Sequence, residues 1–123
     1  MIHPRLLEEA RSLDLATTAG RFRMGDLAFP GDKLDDWAAA LGAPRSQVSE
    51  CWFLAMQYPP EHRHPELDWA VFDMLALSPD RFRLVDLAAA KHWTITELDD
   101  YLSDQFEAEF GFRPSGAERR AAK

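Results

Sequence analysis

Apolar residues recur at helical spacing between residues 34 and 53, where the chain reads LDDWAAALGAPRSQVSECWF. Gly42 divides this segment into two short helices, because a glycine tolerates the unusual backbone that a tight turn between crossing helices needs. The positions that must face inward in such a pair are all apolar: Trp37, Ala38, Leu41, Ala43, Val48 and Cys51. The pattern therefore predicts a helix-turn-helix, with the small Ala38 where the two helices cross.

The same spacing predicts further helices on both sides of this pair. The first covers residues 4–16 and has a proline in its first turn, where a missing amide costs nothing. Two successive prolines after Tyr58 end the second helix of the pair, and residue 64 starts another. Thr94 and Glu97 form a capping box that begins the last helix. We therefore predict an all-α fold of about six helices, in one domain over residues 1–112.

Three short words recur in the same order in the two halves of the chain. They are RFRMGDLAF (21–29) and RFRLVDLAA (81–89), LDDW (34–37) and LDDY (98–101), and His-Pro-x-Leu at 3–6 and 64–67. This order predicts an internal duplication, with units of about residues 1–60 and 61–112. Each unit is expected to contain a turn that carries RFR, a short helix that starts near Asp26 or Asp86, and a longer helix.

The second unit fits a helix-turn-helix less well than the first. In DLAAAKHWTITELDDYL, residues 86–102, Lys91 and His92 stand where an apolar residue and a glycine are favoured. Asp99 and Asp100 would face DNA phosphates, which repel carboxylates. We interpret this unit as a structural copy that packs against the first unit or binds a protein partner.

Composition limits the classes of function. The chain has 123 residues, of which 46% are hydrophobic, enough for one domain with a core. A membrane span and a signal peptide are absent from the sequence, so a cytoplasmic location without membrane contact is expected. The lone Cys51 excludes an internal disulfide, and its place in the pattern makes it a core residue. Residues 113–123 lack periodicity and are locally basic, which is typical of a flexible tail.

The net charge of −7 argues against DNA binding, since DNA-binding proteins usually carry a basic surface. The excess of acidic residues is larger in residues 64–123, which carry a net charge of −5, than in residues 1–63, which carry −2. A first half that faces DNA is therefore electrostatically possible. Binding is expected to be weak or to depend on a dimer.

The outward face of the second helix of the pair supplies the candidate DNA contacts. Residues near the start of a recognition helix reach base edges in the major groove, and an arginine there pairs with guanine or phosphate. The candidates for base or near-base contact are Arg45, Ser46, Gln47 and Ser49, and those for phosphate are Lys33, Arg21 and Arg23. A homodimer is expected, because one such module reads few bases.

Catalytic and metal sites are not indicated by the sequence. The carboxylates of adjacent residues, as in Asp35-Asp36 and Asp99-Asp100, diverge by about 100° on a helix and do not converge on one substrate atom. His62 and His64 flank Arg63, but a second cluster that would complete a metal site is missing. We therefore expect a protein that is not an enzyme and has neither a metal nor another cofactor.

The run VSECWFLAMQYPPEHRHPELDWAVFDMLALSPDRF, residues 48–82, resembles a segment of small helix-turn-helix proteins of actinobacterial phages and integrative plasmids. In that group the recognition helix leads into an aromatic-Pro-Pro-Glu-x-Arg-x-Pro turn, a helix and a Pro-Asp-Arg-Phe corner. HWTITEL, residues 92–98, is similar to the Gly-Trp-Thr-x-x-x-Leu element that follows. The resemblance covers about two thirds of the chain and implies a regulatory DNA-binding protein of a mobile element.

The resemblance implies that Arg45, Ser46, Gln47 and Ser49 line the recognition helix. The chain departs from the pattern in two ways: His92 replaces the expected glycine, and the recognition helix is poor in lysine and arginine.

A rival hypothesis is a small acidic helical module that binds and modulates a host or phage protein. Its contact surface would be the aromatic region around Trp52 and Trp69, or the acidic second half. The arginines of the two RFR words discriminate between the hypotheses. If they pair with Asp26 and Asp86, the basic surface shrinks and the rival gains.

Overall fold

The computed structural model describes residues 2–112, and all regular structure in that range is helical. Seven α-helices and one 3-10 turn follow one another within these described residues. Their bounds are α1 Pro4–Ser12, α2 Thr18–Leu27, α3 Leu34–Leu41, α4 Arg45–Gln57, the 3-10 turn Pro60–His62, α5 Trp69–Leu75, α6 Arg81–Lys91 and α7 Ile95–Phe110. The all-α prediction is confirmed, with one helix more than expected. The predicted basic tail, residues 113–123, lies outside the described residues.

Both RFR words lie inside helices, so the predicted turns at these words are wrong. The α2 helix begins after Thr17, whose hydroxyl accepts a hydrogen bond from the Gly20 amide at 3.0 Å. Asp26 therefore lies in the last turn of α2, and Asp86 lies in the middle of α6. The sequence contains no breaker at either word. The Thr17 cap lies upstream of the first word, so α2 runs through it, and the second word itself begins α6.

Two other helix boundaries differ from the prediction. The α1 helix ends at Ser12 rather than at residue 16, because the backbone of Leu13 is extended. The α5 helix begins at Trp69 rather than at residue 64, after Asp68, whose carboxylate accepts a hydrogen bond from the Ala70 amide. In both places the local backbone and capping contacts end or begin the helix, although the apolar pattern in the sequence is longer.

An aromatic cluster forms the centre of the core between α2, α4 and α5. Phe22 packs edge-to-face on Trp69 and Phe72, with ring centroids 4.9 and 4.8 Å apart. Tyr58 packs on Phe72 at 5.1 Å, and its hydroxyl donates to the Phe72 carbonyl at 2.8 Å. Apolar residues from Ala10 to Leu98 join this cluster in one contiguous core. Elements from both predicted units therefore share the same interior.

The α2 and α4 helices approach each other closely at Gly25. A Cβ atom on this residue would lie 2.1 Å from the Cys51 carbonyl oxygen and 2.5 Å from the Ala55 Cβ. Only a glycine permits this separation of the two backbones. The contact holds α4 against α2 along its inner face and leaves the other face of α4 toward solvent.

The turn between α3 and α4 is repeated between α6 and α7. Gly42 and His92 both adopt left-handed backbone, with φ of 63° and 54°. The next amide reaches back to the preceding helix in each case, from Ala43 to the Ala38 oxygen and from Trp93 to the Ala88 oxygen. His92 thus takes the backbone conformation for which the sequence favoured a glycine. Common ancestry of the two units stays a prediction.

Candidate nucleic-acid interface

The α3 and α4 helices form the predicted pair around Gly42. The six positions expected to face inward are all buried or half-buried: Trp37, Ala38, Leu41, Ala43, Val48 and Cys51. Burial raises the pKa of the Cys51 thiol to about 11, which keeps it protonated at neutral pH. The inward pattern is therefore confirmed, and Cys51 is a core residue.

The outward face of α4 changes character along its length. Arg45 and Ser46 are exposed in the first turn, and Gln47 and Ser49 are half-buried. Toward the end of the helix the exposed side chains are Phe53 and Met56, which are apolar. The exposed polar side chains of α4 that can contact nucleic acid, Arg45 and Ser46, thus lie in its first turn.

The first turn of α4 differs from the first turn of α7, although the two helices follow the same kind of turn. The residue before α4 is Pro44, which makes no side-chain hydrogen bond to that turn. In α7 the Thr94 hydroxyl accepts from the Glu97 amide, and the Glu97 carboxylate accepts from the Thr94 amide. The capping box occupies the donors that a phosphate would use. Of the two helices, α4 therefore presents its first turn without such a cap and α7 does not.

Arg45 is held by a carboxylate of the neighbouring helix. Its Nε lies 2.6 Å from Asp35 Oδ1, and the two side chains are 59% and 82% exposed. Asp36 is also exposed on α3, and the Glu50 carboxylate on α4 accepts a hydrogen bond from Trp69 Nε1 at 2.9 Å. Acidic groups therefore surround the start of α4, and the candidate arginine is already paired in the free protein.

The other candidate cations lie on different elements and also make internal contacts. Arg21 donates from Nε to the Leu15 carbonyl at 2.6 Å. Arg23 forms an ion pair with Glu9 of α1. Lys33 is exposed and precedes α3 directly. Phosphate binding by these residues stays a prediction.

The arginines of the second RFR word are engaged elsewhere too. Arg81 donates from Nε to the Gln57 carbonyl at 2.9 Å, and Arg83 pairs with Asp80. The expected pairs with Asp26 and Asp86 do not form. All four RFR arginines nevertheless make internal contacts, which reduces the basic surface in the way that the rival hypothesis requires.

The segment His62-Arg63-His64 provides the partners of those two aspartates instead. Arg63 Nη1 lies 2.7 Å from Asp26 Oδ2 on α2. His62 Nδ1 and His64 Nε2 lie 2.9 and 2.7 Å from Asp86 Oδ1 on α6. The linker between the two predicted units therefore clamps α2 and α6 through the equivalent aspartate of each.

Arg63 also ties the linker to the end of α4. It donates from Nε to the Tyr58 carbonyl at 2.7 Å and from Nη2 to the Ala55 carbonyl at 2.9 Å. Its guanidinium lies 5.0 Å from the centre of the Phe22 ring. The sequence analysis considered His62 and His64 only as metal ligands and missed this role. The signal was available in the two aspartates at equivalent positions of a repeated word.

Groups of histidine, cysteine and carboxylate side chains that could hold a metal ion are not found within residues 2–112. The imidazole nitrogens of the linker that face α6 are occupied by Asp86. The same part of the chain contains no helix long and apolar enough to cross a membrane.

Replacing Asp86 by asparagine is expected to lower the free energy of unfolding at neutral pH by about 1 kcal/mol. Burial raises the pKa of the Asp86 carboxyl, but the hydrogen bonds from His62 and His64 outweigh burial and lower the pKa below its ordinary 3.8. A carboxyl with a lowered folded-state pKa stabilises the fold above pH 3.8, and this stabilisation is lost as the pH falls through the folded-state pKa. Urea unfolding of both proteins over decreasing pH tests this. A difference in stability that stays constant down to acid pH would contradict it.

The rival hypothesis expects an exposed aromatic surface around Trp52 and Trp69, and the structure does not show one there. Trp69 is buried, and the half-buried Trp52 packs with its ring against Gly31. The apolar side chains that remain exposed near this region are Phe29, Phe53 and Met56.

The comparisons with known proteins give no assignment. No protein-family model, no curated protein and no solved structure matches this chain. The relationship to helix-turn-helix proteins of actinobacterial phages and integrative plasmids therefore stays a prediction, and a function is inferred from the geometry and charges described above.

Proposed function

We propose that the protein binds DNA sequence-specifically through α3 and α4 and acts in the cytoplasm as a non-enzymatic regulator of a phage or mobile element. The observation that carries the proposal is the first turn of α4. It follows a left-handed turn at Gly42, lacks a side-chain cap, and presents Arg45 and Ser46 to solvent. In helix-turn-helix proteins this end of the recognition helix reaches the base edges.

The ion pair between Arg45 and Asp35 is compatible with this role. An exposed pair of this kind stabilises a protein by less than about 1 kcal/mol. A bidentate contact between an arginine and a guanine contributes about 1–3 kcal/mol of discrimination. The ion pair is therefore weak enough for Arg45 to leave Asp35 and contact a base. In the free protein Asp35 holds the guanidinium in place beside the start of α4.

The acidic surroundings determine the conditions under which binding is expected. Asp35, Asp36 and Glu50 lie on the two helices that would approach the phosphates. Their repulsion reduces affinity, and the cations Lys33, Arg21 and Arg23 of the neighbouring elements offset part of it. Binding is therefore expected to be moderate, sensitive to salt, and strengthened by a second copy on an adjacent half-site.

Replacing Arg45 by alanine is expected to weaken binding to the specific DNA about tenfold or more, because one base or phosphate contact is lost. The matched control is Arg83→Ala. Arg83 is similarly exposed, at 57% against 59%, and is likewise paired with an aspartate, but it lies on α6. Fluorescence anisotropy against DNA from the region upstream of the gene, over a series of salt concentrations, gives both affinities.

The substitution Asp35→Asn gives a second, opposite readout. It removes a negative charge and releases Arg45, so the affinity is expected to rise severalfold. Weakening by Arg45→Ala, strengthening by Asp35→Asn and no change in Arg83→Ala together support the proposal. Absence of binding at low salt by folded protein, or equal weakening by the two arginine substitutions, rejects it.

A second candidate function is the binding of a protein partner through α7. This helix of 16 residues carries six carboxylates and no lysine or arginine, and Phe110 at its end is exposed. An acidic helix of this kind is repelled by DNA and complements a basic protein surface. This function becomes the leading one if DNA binding fails at low salt, and affinity capture with wild type and Phe110→Ala as bait then tests it.

A further inference from the structure

An apolar patch lies on the outward side of α4, directly beyond the proposed reading residues. It consists of Trp52, Phe53 and Met56 of α4, and Phe29 lies in the neighbouring loop between α2 and α3. Phe29 is 63% exposed and Met56 is 53% exposed. Gly31 brings the loop against α4, since a Cβ atom on this residue would lie 2.4 Å from the Trp52 ring. Trp52, Phe53 and Met56 are called the α4 patch below.

We propose that the α4 patch is the contact surface for a second copy of this chain. The inference rests on the proposed function, because it names the partner that a two-half-site operator requires. It assigns the contact to Met56 and Phe53 and leaves the first turn of α4 free for DNA.

Charge is the first argument for a second copy as the occupant. The chain carries a net charge of −7, so two copies repel each other over most of their surfaces. The α4 patch is an exception, because the segment Cys51 to Gln57 contains no ionisable acid or base apart from the buried Cys51. When two copies associate through this patch, they bury apolar surface and bring no like charges of the patch together. A basic protein partner, in contrast, would be attracted to α7.

Spacing is the second argument. Met56 and Arg45 lie on the same side of α4, eleven residues apart, which corresponds to about 16 Å along the helix. A two-fold axis beside Met56 therefore places the two Arg45 residues up to about 33 Å apart. Half-sites read by paired recognition helices are centred about 34 Å apart, one turn of DNA. Contact through the C-terminal half of α4 thus sets a separation that suits adjacent half-sites.

The α7 helix is the other surface with exposed aromatic residues, and it is a poorer site for a second copy. Phe106, Phe110 and Phe112 pack on one another, with centroids 4.4 and 5.4 Å from Phe106. The six carboxylates of α7 would face the same six on a second copy. Self-association through α7 would therefore bring like charges together.

Sedimentation velocity of the full chain over a range of concentrations tests the proposal. The wild type is expected to form a dimer at micromolar concentration, and Met56→Glu is expected to weaken dimerisation at least tenfold, because it introduces a charge on both sides of the contact. The matched control is Phe110→Glu, at a side chain of similar exposure, 55%, on α7. This control should remain a dimer. Circular dichroism melting verifies that both variants fold.

Oxidative cross-linking gives an independent signal that does not depend on loss of a contact. Diamide is expected to join Met56→Cys into a disulfide-linked dimer and to leave Phe110→Cys largely monomeric. The native Cys51 contributes little background, since it is buried and the pKa of its thiol is raised to about 11. A monomeric wild type at 100 µM, a Met56→Glu variant that still dimerises, or equal cross-linking of the two cysteine variants overturns the inference.

The outcomes for the two proposals are distinguishable. If the protein binds DNA but stays monomeric in solution and on DNA, the proposed function is retained and the α4 patch is rejected as a dimer contact. Dimers that are abolished by Met56→Glu but bind no DNA support the contact and reject the proposed function.

Discussion

Replacement of Arg63 by alanine is expected to lower the free energy of unfolding by about 3 kcal/mol. The Arg63 side chain is only 13% exposed and donates to Asp26 and to the carbonyls of Ala55 and Tyr58. Its removal leaves Asp26 of α2 without the guanidinium of Arg63. It also leaves the carbonyls of Ala55 and Tyr58, at the end of α4, without these donors. The loss of stability is larger than that expected for replacing an ordinary surface arginine, because the polar groups left without a partner are partly shielded from water. Urea unfolding followed by circular dichroism measures it.

The matched control for this prediction is Arg23→Ala. Arg23 pairs with Glu9, but the two side chains are 49% and 39% exposed. Solvent screens such a pair, and its removal is expected to cost less than about 1 kcal/mol. If the two variants lost equal stability, the clamp formed by the linker would contribute no more than a surface ion pair does, and the prediction would be wrong.

Replacement of Gly25 by alanine is expected to destabilise the protein by about 3 kcal/mol or more. In an isolated helix this change is favourable by about 1 kcal/mol, because alanine is the better helix former. Here the new Cβ would lie 2.1 Å from the Cys51 carbonyl oxygen, which belongs to the backbone of α4 and cannot move alone. The α2 and α4 helices must therefore separate, and the packing that presents α4 is disturbed.

Gly42→Ala is the informative comparison for Gly25→Ala. Gly42 has a φ of 63°, but no atom lies within 4 Å of the position of an added Cβ. The cost there is the left-handed backbone alone, about 1 kcal/mol. Thermal or urea unfolding of both variants separates the two causes. A Gly25→Ala variant that is as stable as the wild type would show that α2 and α4 can separate freely.

The inward positions of α3 and α4 were predictable, because helical spacing around a glycine turn is a local property. Trp37, Val48 and Cys51 are buried as expected. The role of His62, Arg63 and His64 was not predicted. A histidine or arginine in a proline-rich turn carries no local sign of which distant carboxylate it meets. Arg63 and Asp26 are 37 residues apart in the chain.

The boundaries of the helices were predicted less well than their existence. The sequence predicts turns at the RFR words, but both words lie in helices: the Thr17 hydroxyl caps α2, and the second word begins α6 without a side-chain cap. His92 was judged unsuited to the position of Gly42, yet histidine is among the residues that adopt left-handed backbone more readily than most. These errors arose where one polar or small residue decides the local conformation.

The state of the candidate site also depended on tertiary contacts. The sequence indicated Arg45 as an outward-facing cation, and it is outward-facing. Only the structure shows that Asp35, ten residues earlier, holds its guanidinium, and that the outward face of α4 becomes apolar at Phe53 and Met56.

From the amino-acid sequence alone we could predict the all-α class, the inward face of α3 and α4, the capping box of α7 and the net negative charge, because each depends on neighbouring residues or on composition. The tertiary structure decided which aspartate each linker cation meets, how closely α2 passes α4 at Gly25, and which apolar side chains remain uncovered. These features depend on segments far apart in the chain that come together only when the shared core forms.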